Sequence, residues 1–205
     1  MSRWTAFIII GVLFRMRVIS GTARGTRLTD LGETEIRPTL DRVKESFFNQ
    51  VGPNLVGLNF LDLFAGTGSM GIEALSRGAD KVVFVEHNSQ AQSLIFQNLK
   101  KCRMTVDDNQ MGRWELIKFD ALRGLSVLDE KGFLFDLVYV DPPFGENLYQ
   151  SCLSLLSDSD VLKEEAWVTV EHFHKNELRE SYGRLKSFKD RRLGDSCLSF
   201  FKIEP

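Results

Sequence analysis

The sequence predicts an α/β fold built on a mostly parallel seven-stranded sheet, with an antiparallel C-terminal hairpin and a small N-terminal hairpin and helix. Two observations support this prediction. Short apolar runs alternate with segments of helical periodicity through the middle of the chain, which is typical of repeated strand–helix–strand units. A G-x-G-x-x-G loop also lies between the first of these strands and the helix that follows it.

The composition limits the class of protein. The 205 residues suit one α/β domain with a small appendage, and 43% hydrophobic and 26% charged residues are ordinary for a globular protein. Because the net charge is −2, any contact with nucleic acid must come from a local basic patch. Three distant cysteines without a C-x-x-C spacing argue against a disulfide framework or a metal site, and they favour a reducing, cytoplasmic location.

Three segments are expected along the chain. Residues 1–15 combine a basic start with an apolar stretch that is too short to span a bilayer, and no signal-peptide cleavage pattern follows. We expect this segment to be a non-native start or a disordered extension, with a strand or a membrane-surface anchor as the alternative. Residues 16–52 are expected to form a hairpin and a helix, and residues 53–205 the main domain.

The N-terminal helix is expected to run from Leu40 to about Val51, with Thr39 as a plausible N-cap. Leu40, Val43 and Phe47 recur on one face at helical spacing. Arg42 and Lys44 are expected to fall off that apolar face.

Five arginines of the N-terminal segment are candidates for contact with nucleic-acid phosphates. They are Arg17, Arg24, Arg27, Arg37 and Arg42. The first three lie on the expected hairpin, where the alternative is a solvated edge that discourages pairing between sheets. For Arg37 and Arg42 the alternatives are surface solvation or a contact with a cofactor carboxylate. The residues alone do not decide between these interpretations.

A nucleoside-cofactor site is predicted at the start of the main domain. The strand Leu58–Phe64 runs into the glycine loop Ala65–Gly71, and a helix follows that ends near Gly78. The next strand, Lys81–Glu86, ends in an acid twenty residues beyond Gly66. Glycines let the backbone approach a ligand closely, and a carboxylate at this position can accept from both ribose hydroxyls. The alternative is a tight turn and a surface acid.

The strand–helix alternation continues to the C-terminus. The expected elements are a helix at 89–102, strands at 114–119 and 135–140, a helix at 149–156, a strand at 166–172 and a closing hairpin at 184–189 and 197–203. Asp120 either contacts an adenine amine or caps the helix Ala121–Leu128, and the two options are weighed equally. His172 and His174 are expected to be solvated or hydrogen-bonded, since no third metal ligand is in view.

The tetrapeptide Asp141-Pro142-Pro143-Phe144 follows the apolar strand at 135–140. A double proline cannot continue a sheet ladder, so the strand must end in a stiff turn. This turn leaves the Asp141 carboxylate and the Pro142 carbonyl as acceptors beside the ring of Phe144. Such a group suits a flat base with an exocyclic amine, which donates to the acceptors and stacks on the ring. The alternative is a strand-exit loop with a packing phenylalanine.

Together, residues 62–78 and 141–144 resemble the class I S-adenosylmethionine-dependent methyltransferases, which have a Rossmann-like fold. More narrowly, residues 17–28 and 37–48 are similar to the opening segments of the RsmD family, which methylates N2 of a guanine in small-subunit (16S) ribosomal RNA. The resemblance covers the chain from about Met16 to the end. The two N-terminal motifs carry the narrow assignment, and the glycine loop and tetrapeptide carry the broad one.

The resemblance implies S-adenosylmethionine as cofactor and 16S ribosomal RNA as partner. We expect the RNA to be bound within a small-subunit assembly particle, with naked RNA and the finished subunit as alternatives. We also expect no metal and no membrane contact, with a monomer as the default state. The resemblance also implies that the target base is held by Asp141, Pro142, Pro143 and Phe144. The implied cofactor contacts are Asp62, Phe64, Ala65, Gly66, Thr67, Gly68, Glu86, His87, Asp120, Ala121 and Asp141.

Three other functions stay open. The first is methylation of an adenine N6, because the same tetrapeptide serves that amine in related enzymes. The second is a nicotinamide-dependent oxidoreductase, which is disfavoured because no Tyr/Lys or His/Asp pair for hydride transfer is evident. The third is a non-catalytic binder in ribosome assembly, against which an intact Asp141 argues.

Overall fold

The computed structural model of the protein describes four stretches of the chain, at 16–30, 41–105, 112–143 and 148–204. Several predicted features lie outside these described residues. They are the segment 1–15, Arg37, Thr39, Leu40 and Phe144.

Helices and strands alternate through most of the described chain. The helices are α1 (Asp41–Val51), α2 (Ser69–Ser76), α3 (Ser89–Lys101), α4 (Ala121–Glu130) and α5 (Leu148–Asp158). The strands are β1 (Asn59–Asp62), β2 (Lys81–Val85), β3 (Trp114–Ile117), β4 (Phe135–Val140), β5 (Leu162–Phe173), β6 (Ser181–Tyr182), β7 (Leu185–Leu193) and β8 (Ser196–Ile203).

These strands form one sheet in the order β3-β2-β1-β4-β5-β8-β7-β6. Strands β1 to β5 pair in parallel, and the C-terminal strands pair antiparallel. The predicted α/β fold with a mostly parallel sheet and an antiparallel C-terminal hairpin is therefore confirmed. The sheet has one strand more than the seven predicted, because β6 adds a two-residue pairing with the start of β7.

Strand β5 begins earlier than predicted. It begins at Leu162, which pairs with Phe135 of β4 ahead of a register shift. The charged run Lys163-Glu164-Glu165 interrupts the apolar pattern there, so hydrophobicity alone places the start at Ala166. The pairing partner, and not the local composition, sets where this strand begins.

The two faces of the sheet are covered by two apolar clusters. One cluster joins the N-terminal hairpin, α1, α2 and α3 to the sheet. The other contains α4, α5 and the inner residues of β5 and β8. In the first, the fully buried Phe47 ring lies 5.0 Å from the Tyr139 ring and 6.0 Å from the Phe60 ring. The N-terminal segment thus shares its core with the main domain.

Helix α1 confirms the predicted apolar face at Val43 and Phe47, but it corrects the prediction for Lys44. Lys44 is fully buried, although it was expected to fall off that face. Its Nζ donates to the Arg17 carbonyl at 2.6 Å and to Ser69 Oγ at 3.0 Å. Arg42 is exposed, as predicted. The helical pattern could not identify Lys44 as buried because its partners lie on other elements.

Candidate functional site

The sheet register places the predicted site residues along one edge. Asp62 of β1 is the register partner of Phe84 in β2 and of Tyr139 in β4. Glu86 and Asp141 each follow these partners by two residues. Since neighbouring strands lie about 4.8 Å apart, Glu86 and Asp141 flank the end of β1 from its two sides. Open parallel sheets bind ligands along this edge.

The glycine loop between β1 and α2 is held close to the strand ends. The Ala65 amide donates to the Val85 carbonyl at 3.0 Å, and the Gly68 amide donates to the Ala65 carbonyl at 2.7 Å. A Cβ on Gly71 would lie 2.2 Å from Cε1 of Phe84, so only glycine lets the helix pack this closely on the sheet. Thr67 is buried and Phe64 is half-buried. The loop therefore presents mainly backbone to the edge.

Asp62 is a buried carboxyl group at the base of this loop, with 2% of its surface exposed. Burial raises its pKa to about 7, and the nearby Glu86 carboxylate adds to this rise. The Gly71 amide, which donates to Asp62 Oδ2 at 2.9 Å, acts in the opposite direction. A cationic ligand group beside Asp62 would favour its ionised form.

The Glu86 carboxylate is fixed by two backbone amides. Oε2 accepts from the Gly66 amide at 2.8 Å, and Oε1 accepts from the Asn88 amide at 2.7 Å. His87 is largely exposed, and its Nδ1 lies 3.4 Å from Glu86 Oε1. The glycine loop and the acid at the end of β2 are thus directly linked, which orients the carboxylate for a further donor.

Asp120 follows β3 and begins α4. Its Oδ1 accepts from the Arg123 amide at 3.0 Å, which is an N-cap bond. Of the two options left open by the sequence, the cap is therefore present in the structure. Asp120 is exposed and Ala121 is buried, and both lie at the same edge of the sheet as Glu86.

Beyond β4, Asp141 is half-buried, Pro142 is buried and Pro143 is exposed. Two residues earlier, the buried Tyr139 hydroxyl donates to Glu171 Oε2 at 2.7 Å. Burial, followed by the Glu171 charge, raises the pKa of Tyr139 well above its usual range. Tyr139 therefore acts as a neutral donor that ties the end of β4 to β5, next to the Asp-Pro-Pro turn.

The N-terminal segment is bound directly to the glycine loop. Asn98 of α3 is fully buried, and its Nδ2 donates to the carbonyls of Thr29 and Thr67 at 3.0 Å. Its Oδ1 accepts from the Thr29 amide at 2.7 Å. The Thr67 hydroxyl lies 3.8 Å from the sulfur of Met16. The loop that the sequence assigns to the cofactor thus also supports the segment assigned to RNA.

A buried carboxylate, Glu73 of α2, anchors the same segment. Its two oxygens accept from the amides of Ile19 and Ser20 at 2.7 and 2.9 Å. Arg77 Nε donates to Glu73 Oε1 at 2.8 Å, and Lys44 Nζ lies 3.9 Å from Oε2. Sequence analysis missed this network. Charged residues such as Lys44, Glu73 and Arg77, on or next to helices, are usually solvated, so no local signal marked this network.

The four candidate RNA-contacting arginines that the structure describes are all exposed. Arg17 and Arg27 face each other across an antiparallel bridge, and both are exposed, as is Arg24. Arg17 Nε also donates to Asp41 Oδ2 at 3.2 Å. Arg37 lies outside the described residues. The structure thus brings three of the five arginines onto one hairpin and links it to the start of α1.

The histidines near the end of β5 form hydrogen bonds with residues of β8 and of the turn before it. His172 Nε2 lies 2.8 Å from Ser199 Oγ on β8, and burial lowers the pKa of this histidine. Among the described residues, no cluster of three or more histidine, cysteine or acidic side chains could hold a metal ion. Nor does that part of the chain contain a helix long and apolar enough to cross a membrane.

The edge as a whole brings several hydrogen-bonding groups together. It combines a backbone-lined loop, a buried carboxyl group, a fixed carboxylate and a turn with two acceptors. Asp62, Glu86 and Asp141 provide acceptors for amines and hydroxyls, which suits a ligand with an amino acid end and a ribose. The sequence pattern identified all of these residues, because Asp62 ends the apolar strand β1 and Glu86 and Asp141 directly follow β2 and β4.

Residues 16–202 match the model of a protein family described as conserved hypothetical protein 95. YlbH, a candidate rRNA methyltransferase of Bacillus subtilis, is 35% identical over 91% of this chain and 98% of its own length. Ribosomal RNA small subunit methyltransferase D of Haemophilus influenzae is 38% identical over 76% of this chain and 78% of its own.

Among solved structures, the candidate methyltransferase YhhF of Escherichia coli superimposes with a TM-score of 0.78 at 29% identity, and it covers 93% of this chain and 98% of its own. A conserved hypothetical protein of Streptococcus pyogenes superimposes with a TM-score of 0.69 at 31% identity, over 79% of this chain and 96% of its own. The chain therefore belongs to the conserved hypothetical protein 95 family, and its predicted membership of the RsmD methyltransferase family is confirmed.

Proposed function

We propose that this chain transfers a methyl group from S-adenosylmethionine to the exocyclic N2 amine of a guanine in small-subunit (16S) ribosomal RNA. The observation that carries this proposal is the Asp-Pro-Pro turn at the end of β4. Its first residue, Asp141, lies two residues beyond Tyr139, the register partner of Asp62. Relatives named as ribosomal RNA small subunit methyltransferase D support the substrate class.

The residues at the sheet edge fit S-adenosylmethionine. Asp62, which accepts from the Gly71 amide, would also accept from the cationic amino acid end, and the backbone of the loop at 65–68 would lie against that end. Glu86, held by two amides, is the acceptor for the ribose diol. Asp120 and Ala121 lie further along the edge, towards the adenine. When bound there, S-adenosylmethionine supplies a methyl group that its sulfonium charge activates.

The chain's own part in the reaction is to hold and polarise the base. Guanine N2 is a weak nucleophile because its lone pair is delocalised into the ring. The Asp141 carboxylate and the Pro142 carbonyl accept from the two N2 hydrogens, which favours a more pyramidal nitrogen and stabilises its developing positive charge. Asp141 need not remove a proton in the transition state, because the surplus proton on the methylated N2 leaves after the methyl group has been transferred. The base must leave its stack to reach this turn, and the Phe144 ring is proposed to replace the lost stacking.

The N-terminal segment at 16–52 is proposed to hold the RNA. Exposed Arg17, Arg24 and Arg27 supply charge for phosphates on a hairpin that Glu73 and Asn98 fix beside the glycine loop. We propose further that the protein acts as a monomer in the cytoplasm, on RNA within a small-subunit assembly particle. Analytical ultracentrifugation and a comparison of naked RNA with assembly particles test these two points.

The catalytic role of Asp141 is tested with Asp141→Asn. This variant keeps the shape of the side chain but removes the charge, so we expect a loss of about 10²- to 10³-fold in kcat, similar to the loss of one preorganised electrostatic contact. The affinity for S-adenosylmethionine, measured by calorimetry, should change little. Transfer of labelled methyl groups to unmethylated small-subunit RNA gives kcat.

Glu130→Gln provides a matched control, because this exposed carboxylate at the end of α4 lies away from the sheet edge that holds the site. It should leave both kcat and cofactor affinity unchanged. Full turnover in Asp141→Asn would contradict the proposed mechanism. Loss of cofactor binding in that variant would assign Asp141 to the cofactor and leave the base pocket without its main acceptor.

A further inference from the structure

Strand β7 carries a dense set of basic side chains that the proposed function does not use. Between Leu185 and Leu193 it has four basic residues and one acid, in a chain whose net charge is −2. All five charged side chains are exposed. They are Lys186, Lys189, Asp190, Arg191 and Arg192. The strand therefore carries a local positive charge that the whole chain lacks.

The sheet register places one end of this strand at the edge that holds the site. Val140, Val170, Ser199 and Asp190 form one row across β4, β5, β8 and β7. Strand β7 runs in the same direction as β4, because two antiparallel steps separate it from β5. Arg191 and Asp141 therefore each follow this row by one residue, at the same end of the sheet. Three strand spacings separate the two, a distance of about 14 Å.

Contacts with α1 gather the arginines at this end. Arg191 Nε donates to Ser46 Oγ of α1 at 2.9 Å. A Cβ on Gly194, in the turn between β7 and β8, would lie 2.9 Å from Nη2 of Arg42. Arg192 Nε donates to the carbonyl of the same glycine at 3.1 Å. Arg42, Arg191 and Arg192 thus meet where α1 crosses the turn, and we name these three residues the arginine seam.

Among the described residues, no ion pair neutralises the charge of the arginine seam. No carboxylate within the described stretches of the chain lies within 4.0 Å of any of its three guanidinium groups. The acids next to it in sequence are Asp41, Glu45, Asp190 and Asp195, and Asp41 lies 3.2 Å from Arg17 Nε instead. By contrast, Lys186 at the opposite end of β7 lies 2.9 Å from Glu204. Clustered like charges repel one another, and a bound polyanion offsets that cost.

We infer that the arginine seam binds backbone phosphates of the RNA that flanks the target guanine, about 14 Å from Asp141. This inference rests on the proposed function and adds a second RNA contact, on the C-terminal hairpin. In this proposal the RNA strand runs from the N-terminal hairpin, past the Asp-Pro-Pro turn, to the arginine seam. The surface of the N-terminal hairpin and the arginine seam are neighbours. Arg17 of the hairpin donates to Asp41, the residue that precedes Arg42 of the seam.

The test compares two double variants of the same hairpin. Arg191→Gln/Arg192→Gln removes two charges from the seam. Lys186→Gln/Lys202→Gln removes two charges from the opposite end, where these lysines are register partners. RNA affinity is measured by fluorescence anisotropy over a range of salt concentrations. We expect the seam variant to bind roughly 10-fold more weakly, with a salt slope lower by about 1.4 to 1.8, and the lysine variant to resemble the parent.

Steady-state kinetics distinguish the loss of an RNA contact from a defect in folding. The seam variant should raise KM for RNA without changing kcat or the affinity for S-adenosylmethionine, and its thermal unfolding should match that of the lysine variant. Arg42→Gln tests the same seam from α1, without disturbing β7. Equal RNA binding by both double variants would overturn the inference.

Two further outcomes remain distinct. Self-association of the seam variant with unchanged RNA binding would also overturn the inference, and it would assign the arginines to protection of the sheet edge. If the unaltered protein neither binds nor methylates RNA while it still binds the cofactor, the proposed function fails before the variants are compared.

Discussion

Asp62 shows how one buried residue links pH to both stability and ligand binding. Its pKa of about 7 in the folded chain lies well above the ordinary value of 3.8, mainly because of burial. The unfolded chain loses this proton near pH 4, whereas the folded chain holds it to about pH 7. The contribution of Asp62 to stability is therefore fully present below pH 4 and is lost as the pH rises through 7.

We accordingly expect Asp62→Asn to unfold at a similar temperature to the parent at pH 4 but at a higher one at pH 8. The difference in unfolding free energy at pH 8 should reach at most about 4 kcal/mol, from the shift between the two pKa values. Thermal melts of the unliganded protein across pH 4–8 measure it. Parallel curves for the two proteins would show that Asp62 does not titrate in this range.

Cofactor binding should also depend on this carboxyl group. A cationic amino acid end beside Asp62 favours the ionised form, so binding at pH 6 should release a proton, and affinity should rise with pH up to about 7 and level off above it. Calorimetry at pH 6 in buffers of different ionisation enthalpy detects that proton. Asp62→Asn should bind more weakly at pH 8 and release none. Identical binding enthalpies in all buffers for the parent protein would contradict this role.

At the scale of elements, Glu73 joins α2 to the N-terminal hairpin. Removing one partner of a buried charge network leaves the others uncompensated, so Glu73→Gln should lower the free energy of unfolding by about 3–5 kcal/mol. The amides of Ile19 and Ser20, which donate to Glu73, should also lose protection from hydrogen exchange. Chemical denaturation and exchange measured by NMR test the two effects.

Arg123→Gln serves as the control for Glu73. Arg123 is more than half exposed and lies 4.0 Å from Glu130, and exposed pairs of this kind contribute about 0–1 kcal/mol. If Glu73→Gln costs no more than this control and the two hairpin amides stay protected, the network does not hold the hairpin.

Periodicity and turn residues were sufficient to predict most elements. The five helices and the main strands are predicted from apolar spacing, glycines and caps such as Asp120, which accepts from the Arg123 amide. Acids at strand ends identified the site, since such residues share one edge of a parallel sheet. Contacts between distant elements were not predictable. Lys44 and Glu73 resemble surface charges in sequence, and β6 is too short to give a pattern.

At the scale of the whole molecule, one edge of the sheet organises the function. The order β3-β2-β1-β4 sets the proposed cofactor contacts side by side, and Asp141 lies at the end of β4. The N-terminal hairpin lies against the glycine loop on one side, and the arginine seam lies beyond β8 on the other. Methyl transfer and RNA binding are thus proposed to share a single rigid sheet.

The most direct test of this proposal identifies the methylated nucleoside. The purified protein is incubated with S-adenosylmethionine labelled in its methyl group and with unmethylated small-subunit particles, and the RNA is digested and chromatographed. Label in N2-methylguanosine is the expected result. Label in N6-methyladenosine, or no label from a protein that binds the cofactor, would contradict the proposed substrate.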